Sequence, residues 1–323
     1  MSTTPWTSII DNTELFVAFG GIPVKNAQIN SGGVGRHCQR ESIDAAHKAG
    51  VAFVVISPLR SDVVTNTQAQ WLALQPCTDT AMLLGIAHTL LTESLHDESF
   101  LKRYTVGFEK FERYLTGNED GEVKNAEWAA AICGLAADDI RDLARRMAQC
   151  RTMISVSWSL TRQDHGEQPF WAAITVAAML GQIGLAGGGI GFGYSAVNNI
   201  GDNVAPLPVA ALPQGKNSID DFIPVARISD MLLSPGASFE FNGKSYTFPD
   251  IHIVYWAGGN PFHHHQDLNR LLKAWRKPDT VIVHEWCWNS TAKYADIVLP
   301  CTTPLERNDL ALSPRDPYRV FME

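Results

Sequence analysis

Two Gly-Gly-x-Pro turns, each placed directly after an apolar run, carry the most chemical content in this 323-residue sequence. Gly20-Gly21-Ile22-Pro23 follows Leu15 to Phe19, and Gly258-Gly259-Asn260-Pro261 follows Ile253 to Ala257. A strand ending in such a turn can bring backbone N–H groups close to a ligand, although a glycine pair also serves any turn that needs positive φ. Lys25 and Asn26 come just after the first turn, where a cation and an amide suit a pyrophosphate. Asn260 lies in the second turn and His264 just beyond it, where a neutral imidazole can hydrogen-bond a ligand.

Asp79 begins a helix after Pro76-Cys77-Thr78. It reads either as a helix cap or as a carboxylate accepting two parallel hydrogen bonds, which fits the N1–H and exocyclic amine of guanine. Glu285 ends a strand in the other half and has the same pair of readings: a second guanine contact or an ordinary strand terminus. Trp158, Arg162, His165 and Glu167 share a polar loop between a strand and a buried helix. That mixture suits stacking on a heterocycle and neutralising a phosphate, or else a solvated turn with a salt link. The triplet His263-His264-His265 is a poor metal site, because adjacent side chains diverge and no second cluster at helical spacing accompanies it.

The elements that must position these residues alternate between strand and helix. Apolar β-prone runs at Leu15–Phe19, Val51–Ile56, Met153–Ser157, Ile251–Trp256 and Val281–Trp286 read as buried strands of parallel sheets. Helical patterns lie at about 42–48, 80–91, 126–133, 138–149, 170–183 and 268–275, and Asn242-Gly243 marks a hairpin. The run Gly187-Gly188-Gly189 reads as a boundary, since glycine weakens the interior of an element. With Gly20 laid on Gly258, residues 15–28 and 253–266 match as strand, turn, polar stretch and glutamine. The match continues from Val54-Val55-Ile56 onto Val281-Ile282-Val283 and ends at Pro76 and Pro300. The expected fold is therefore α/β: two doubly wound, mostly parallel sheet domains related by an internal repeat.

Composition narrows the function further. A formal charge of -8 offers little to attract a polyanion, which argues against nucleic acid. The six cysteines contain no Cys-x-x-Cys pair, so neither an iron–sulfur cluster nor structural zinc is suggested. No apolar stretch reaches the ~20 residues of a membrane span, and the start has neither a twin arginine nor a signal-type apolar region, so no membrane association is expected. No Gly-x-Ser-x-Gly elbow supports a hydrolase, and no Gly-x-Gly-x-x-Gly supports an NAD-dependent dehydrogenase.

Taken in order, Phe19 to Asn26, Ile56-Ser57-Pro58, Gln75 to Asp79, Ser157 to Arg162, His165 to Gln168, Gly258 to Pro261 and Asn289 to Pro300 resemble the dimethyl sulfoxide, trimethylamine N-oxide and biotin sulfoxide reductase family over nearly the whole chain. The resemblance implies molybdenum held between two molybdopterin guanine dinucleotides, and removal of an oxygen atom from a small S-oxide or N-oxide. It implies that Ile56, Pro58 and Asp79 contact one guanosine end with Trp158 and Arg162 nearby. Gly258, Asn260, His264 and Glu285 would serve the other dinucleotide, and Lys25 and Asn26 would sit near the cofactor.

It further implies a discontinuous α/β dinucleotide-binding domain of residues 1–35 and 191–323, with a second one, 36–190, inserted in it. The family's metal-ligand serine and its long C-terminal region have no counterpart in these residues. The expectation is a cofactor-binding central fragment, with no catalytic or metal-ligating residue of its own, no reductase turnover alone, and exposed apolar surface that favours self-association. A stand-alone nucleotide-binding or assembly module without catalysis is the alternative.

Overall fold

The computed structural model describes residues 3–30, 35–64, 66–202, 204, 213–219, 222–313 and 318–323. The chain divides into two compact units: residues 1–209 with 311–320, and residues 210–310 with 321–323.

In chain order the first unit contains α1 (Trp6–Asn12), β1 (Leu15–Phe19), α2 (Gln39–Lys48), β2 (Ala52–Ile56), β3 (Gln70–Leu72), α3 (Asp79–Thr92), α4 (Glu98–Tyr104), α5 (Phe108–Leu115), α6 (Ala126–Cys133), α7 (Ala137–Gln149), β4 (Thr152–Val156), α8 (Gln168–Met179) and β5 (Gly189–Phe192). Its five strands are all parallel, in the order β3-β2-β1-β4-β5. A parallel strand in the middle of a covered sheet has no polar face, which is why all five residues of β1 are buried.

Successive side chains on β1 go to opposite faces. Leu15, Val17 and Phe19 join Met82, Leu83, Ala129, Leu143 and Val176 in the core under α3, α6, α7 and α8. Phe16 and Ala18 join Trp6, Ile9, Ile43, Ala46 and Tyr194 on the side of α1 and α2. Helix α3 is apolar nearly all round because it packs against α6, α7 and α8 at once.

The second unit contains α9 (Ile228–Leu233), β6 (Ser238–Phe241), β7 (Lys244–Thr247), β8 (Ile253–Ala257), α10 (Pro261–His264), α11 (Leu268–Trp275), β9 (Thr280–Glu285), α12 (Ser290–Lys293) and β10 (Ile297–Pro300). Strands β6 and β7 form the hairpin expected at Asn242-Gly243, with Asn242 at φ 50° and Gly243 at φ 73°. The parallel sheet has the order β10-β9-β8. Near the end of the chain, β11 (Asp309–Leu312) pairs with β12 (Arg319–Met322).

The internal repeat appears in the topology, since β3-β2-β1 and β10-β9-β8 have the same order and direction. The register shifts one part of the sequence match by a residue: Phe19 opposes Ile56 and Ala257 opposes His284, so Ile56 corresponds to His284 and not to Val283. A one-residue shift exchanges the two faces of a strand, so the correction matters. With it, Phe53 and Val55, on the α1–α2 side, correspond to Val281 and Val283, which pack with Leu232, Leu271 and Trp275.

The other face of the second sheet is the counterpart of the face that α3 covers in the first. There Ile253 and Tyr255 are 62% and 60% exposed, so among the described residues helices line both faces of the first sheet and one face of the second.

Two expectations change. One unit does interrupt the other, but the interrupting unit is residues 210–310, not 36–190. The reason is that β1 pairs over its full length with β2 and with β4, which makes residues 1–35 part of the sheet of 36–190. Gly189 is not a boundary but the first residue of β5, an edge strand paired in parallel with β4. No helix among the described residues is long and apolar enough to cross a membrane.

Candidate functional site

The strand order of the first sheet reverses between β1 and β4, and at such a switch point the loops after neighbouring strands diverge and leave a crevice at their carboxyl ends. A cavity of about 250 Å³ lies there, lined by Gly20 after β1, Pro58 after β2, Cys77 and Asp79 after β3, and Ser159 and Arg162 after β4. Three residues singled out from sequence, Pro58, Asp79 and Arg162, thus share one cavity although up to 104 positions separate them. Ile56 is fully buried one residue before Ser57 and supports the wall from within β2.

Asp79 is the distinctive group of this cavity. It is only 6% exposed and stands in the first turn of α3, yet it does not cap the helix from the preceding position, as a bland reading would have it. Its carboxylate receives its own backbone N–H, and burial pushes its pKa up to about 6. A buried carboxylate without an outside donor is costly unless something else supplies the hydrogen bonds. Arg162, by contrast, is exposed at the rim and forms no ion pair among the described residues.

Asp62, which sequence reasoning missed, organises the wall between β1 and β2. Ser57 Oγ donates to Asp62 Oδ2 at 2.8 Å, Lys25 Nζ lies 3.0 Å from Oδ1, and the Leu59 N–H donates to Ser57 Oγ at 3.2 Å. Nothing local marked Asp62: it lies in a short turn whose only signal is a polar tripeptide. Lys25 and the exposed Asn26 share the turn Val24–Gln28, so the first Gly-Gly turn delivers both to one place, with Lys25 anchored to this wall.

The glycines of the two turns differ in role. Gly20 and Gly258 both have φ near +80°, but a Cβ on Gly20 would lie 2.3 Å from Leu160 Cδ1 and 2.7 Å from Ser157 Cβ, whereas one on Gly258 would meet nothing within 4 Å. Gly20 is demanded by packing against the loop after β4. The space beside Gly258 is open to a ligand.

Around that second turn, Asn260 Oδ1 accepts from Thr291 Oγ1 at 2.7 Å, and His264 lies exposed on α10. Glu285 is buried and already engaged: Oε1 accepts from the Trp286 N–H at 3.0 Å and Oε2 from Asn289 Nδ2 at 2.5 Å. In the repeat it corresponds to Ser57 at the end of β2 and not to Asp79, so the two carboxylates are not equivalent positions. Trp158 also departs from expectation. It leaves the Asp79 cavity and lines a separate apolar recess with Phe170, Ile174 and Phe192, its ring 5.8 Å from that of Phe192. His165 lies 3.7 Å from Glu167 in the same loop, both side chains well exposed.

The profile of the molybdopterin oxidoreductase family matches residues 2–314. The chain is 46% identical to a biotin sulfoxide reductase of Cereibacter sphaeroides over 98% of its own length and 42% of that protein. It is 44% identical to a dimethyl sulfoxide/trimethylamine N-oxide reductase of the same organism, over 95% of this chain and 38% of the other. It is 44% identical to a trimethylamine-N-oxide reductase of Haemophilus influenzae, over 96% and 39%. The solved structure of an acetylene hydratase from Pelobacter acetylenicus shares the fold, with a TM-score of 0.60 at 19% identity over 97% of this chain and 44% of that one. The chain thus spans about two fifths of the length of the relatives it matches. The match over nearly every residue, together with the parallel sheets and the switch-point cavity, places this chain in the molybdopterin oxidoreductase family.

Proposed function

We propose that this chain grips the nucleotide ends of two molybdopterin guanine dinucleotides in a reductase of S-oxides or N-oxides. What carries the reading is the Asp79 carboxylate, buried at a switch-point cavity with no outside donor among the described residues. Its two oxygens match the two adjacent donors of guanine, N1–H and the exocyclic amine, which adenine lacks. Pro58 forms the wall beside it, Ile56 backs that wall, and Arg162 supplies positive charge at the rim. Lys25, anchored by Asp62, and Asn26 stand where a pyrophosphate follows.

The second dinucleotide lies against the open side of Gly258, with Asn260 and His264 as hydrogen-bonding partners. Glu285 holds the 286–289 loop in shape while keeping one lone pair on each oxygen for a donor. Trp158 closes the neighbouring apolar recess.

When bound, the cofactor supplies the two-electron centre at which an S-oxide or N-oxide loses its oxygen as water, with two protons taken up. The groups assigned here, Asp79, Arg162, Lys25, Asn26, Asn260, His264 and Glu285, are donors, acceptors and charges suited to the organic part of the cofactor. The chain's own groups bind, orient and neutralise; we assign none of them a proton-transfer step.

Titration with GDP and ADP tests the reading. GDP is expected to bind at least tenfold tighter than ADP, and Asp79→Ala to remove that preference. Equal affinity for the two nucleotides, or a preference that survives in Asp79→Ala, would refute it.

A further inference from the structure

Cys77 is an exposed thiol on the wall of the same cavity as Asp79. It sits two residues before that carboxylate, with its backbone in the left-handed region at φ 67°. The other walls include Gly20, Pro58, Asp62, Ser159 and Arg162, and a group attached to the sulfur of a wall residue can reach across the mouth of a cavity of about 250 Å³. Asp79 supplies the independent sign that the cavity takes a ligand, since it is more than nine-tenths buried and among the described residues receives only its own backbone N–H. Cys38 and Cys133 are buried in the cores and Cys150 is partly covered, so they are poorly placed for reagents; Cys287 and Cys301 are exposed, but neither lines this cavity.

We infer that Cys77 is a thiol-modification site that shuts the guanine pocket when it carries a low-molecular-weight disulfide partner such as glutathione. The inference rests on the nucleotide reading above. In the step, the Cys77 thiol loses its proton to solvent and the thiolate attacks one sulfur of oxidised glutathione. A new S–S bond forms to Cys77, the original S–S bond breaks, and the other half leaves as a thiolate. Cys77 is oxidised, the departing glutathione is reduced, and no further oxidant is needed. The tripeptide on Cys77 then occupies the space in front of Asp79, and a thiol reductant restores the pocket.

The test is binding of fluorescent N-methylanthraniloyl-GDP to the full chain before and after treatment with oxidised glutathione, with the modified residues located by peptide mass spectrometry. Expected are an adduct on Cys77, a loss of affinity of at least tenfold, and recovery with dithiothreitol. The Cys77→Ser chain should show the same affinity with and without treatment, whatever that affinity is, although Cys287 and Cys301 remain available. An unmodified Cys77, an adduct on Cys77 with unchanged binding, or loss of binding in treated Cys77→Ser would each overturn the inference while leaving the nucleotide reading intact. Failure of the untreated chain to bind the probe at all would sink the nucleotide reading and this inference with it.

Discussion

Lys25 Nζ lies 3.0 Å from Asp62 Oδ1, so a cation from the loop after β1 is tied to a carboxylate from the loop after β2. The two partners are unequal. Asp62 is 9% exposed and also accepts from Ser57, whereas the Lys25 side chain is 54% exposed. Removing the lysine loses an ion pair that water screens, worth under about 1 kcal/mol. Removing the carboxylate leaves the Ser57 hydroxyl without its acceptor, at a cost of about 1–3 kcal/mol. Urea unfolding should therefore show Asp62→Ala well below Lys25→Met in stability. Equal losses would mean that the wall is not held through Asp62.

Asp79 sets a pH dependence whose sign follows from its raised pKa. Its ordinary value of 3.8 moves to about 6 in the folded chain. Between those pH values the folded chain holds a proton that the unfolded chain has released, so stability falls as pH rises from about 4 to about 6 and stays lower above that. Asp79→Asn removes the buried charge and is expected to stabilise the chain at pH 7 by about 2 kcal/mol, after allowing for lost interaction with the helix dipole. The same variant should flatten the pH dependence of unfolding over that window. Guanine binding runs the other way: the carboxylate form is the acceptor, so wild-type affinity for GDP should drop as pH is lowered through 6. An Asp79→Asn chain less stable than wild type at pH 7 would contradict this account.

The two turn glycines should respond differently to alanine. At both, a left-handed residue with a Cβ costs about 1–2 kcal/mol. At Gly20 the new methyl also strikes Leu160 and Ser157, adding about 1–3 kcal/mol of overpacking. Thermal unfolding should place Gly20→Ala clearly below Gly258→Ala, while only the latter intrudes on open space where a ligand would lie. Similar unfolding midpoints would argue against the packing role of Gly20.

The exposed face of β8-β9-β10 leads to the expectation that the chain associates with itself. Parallel sheets are ordinarily covered on both faces, and here Ile253, Tyr255, Ile297 and Leu299 are exposed together. Sedimentation velocity should show a coefficient that rises with concentration, and Tyr255→Glu combined with Ile297→Lys should lower it. A concentration-independent monomer in the wild type would count against the prediction.

Much of the fold was legible because the relevant signals are local. Leu15–Phe19 is a strand with the bounds read from its apolar run, and the helices at 126–133 and 268–275 have the bounds read from their periodicity. Both Gly-Gly turns and the Asn242-Gly243 hairpin could likewise be read from neighbouring residues, and the repeat from laying residues 15–28 on 253–266. Helices α1, α4 and α5 were not read from the sequence, although α5 is as long as the helices at 126–133 and 268–275.

What the sequence determined by itself was the set of strands, turns and candidate groups, because backbone preference and hydrophobic period act over a few residues. The tertiary structure alone decided which groups meet. It placed Asp79 with Pro58, Cys77 and Arg162, sent Trp158 to another recess, gave Glu285 donors from its own loop, and made β1 the centre of the first sheet. Those outcomes depend on strand order, on register and on which polar atoms find partners, and all but the Glu285 contacts are settled between residues far apart in the chain.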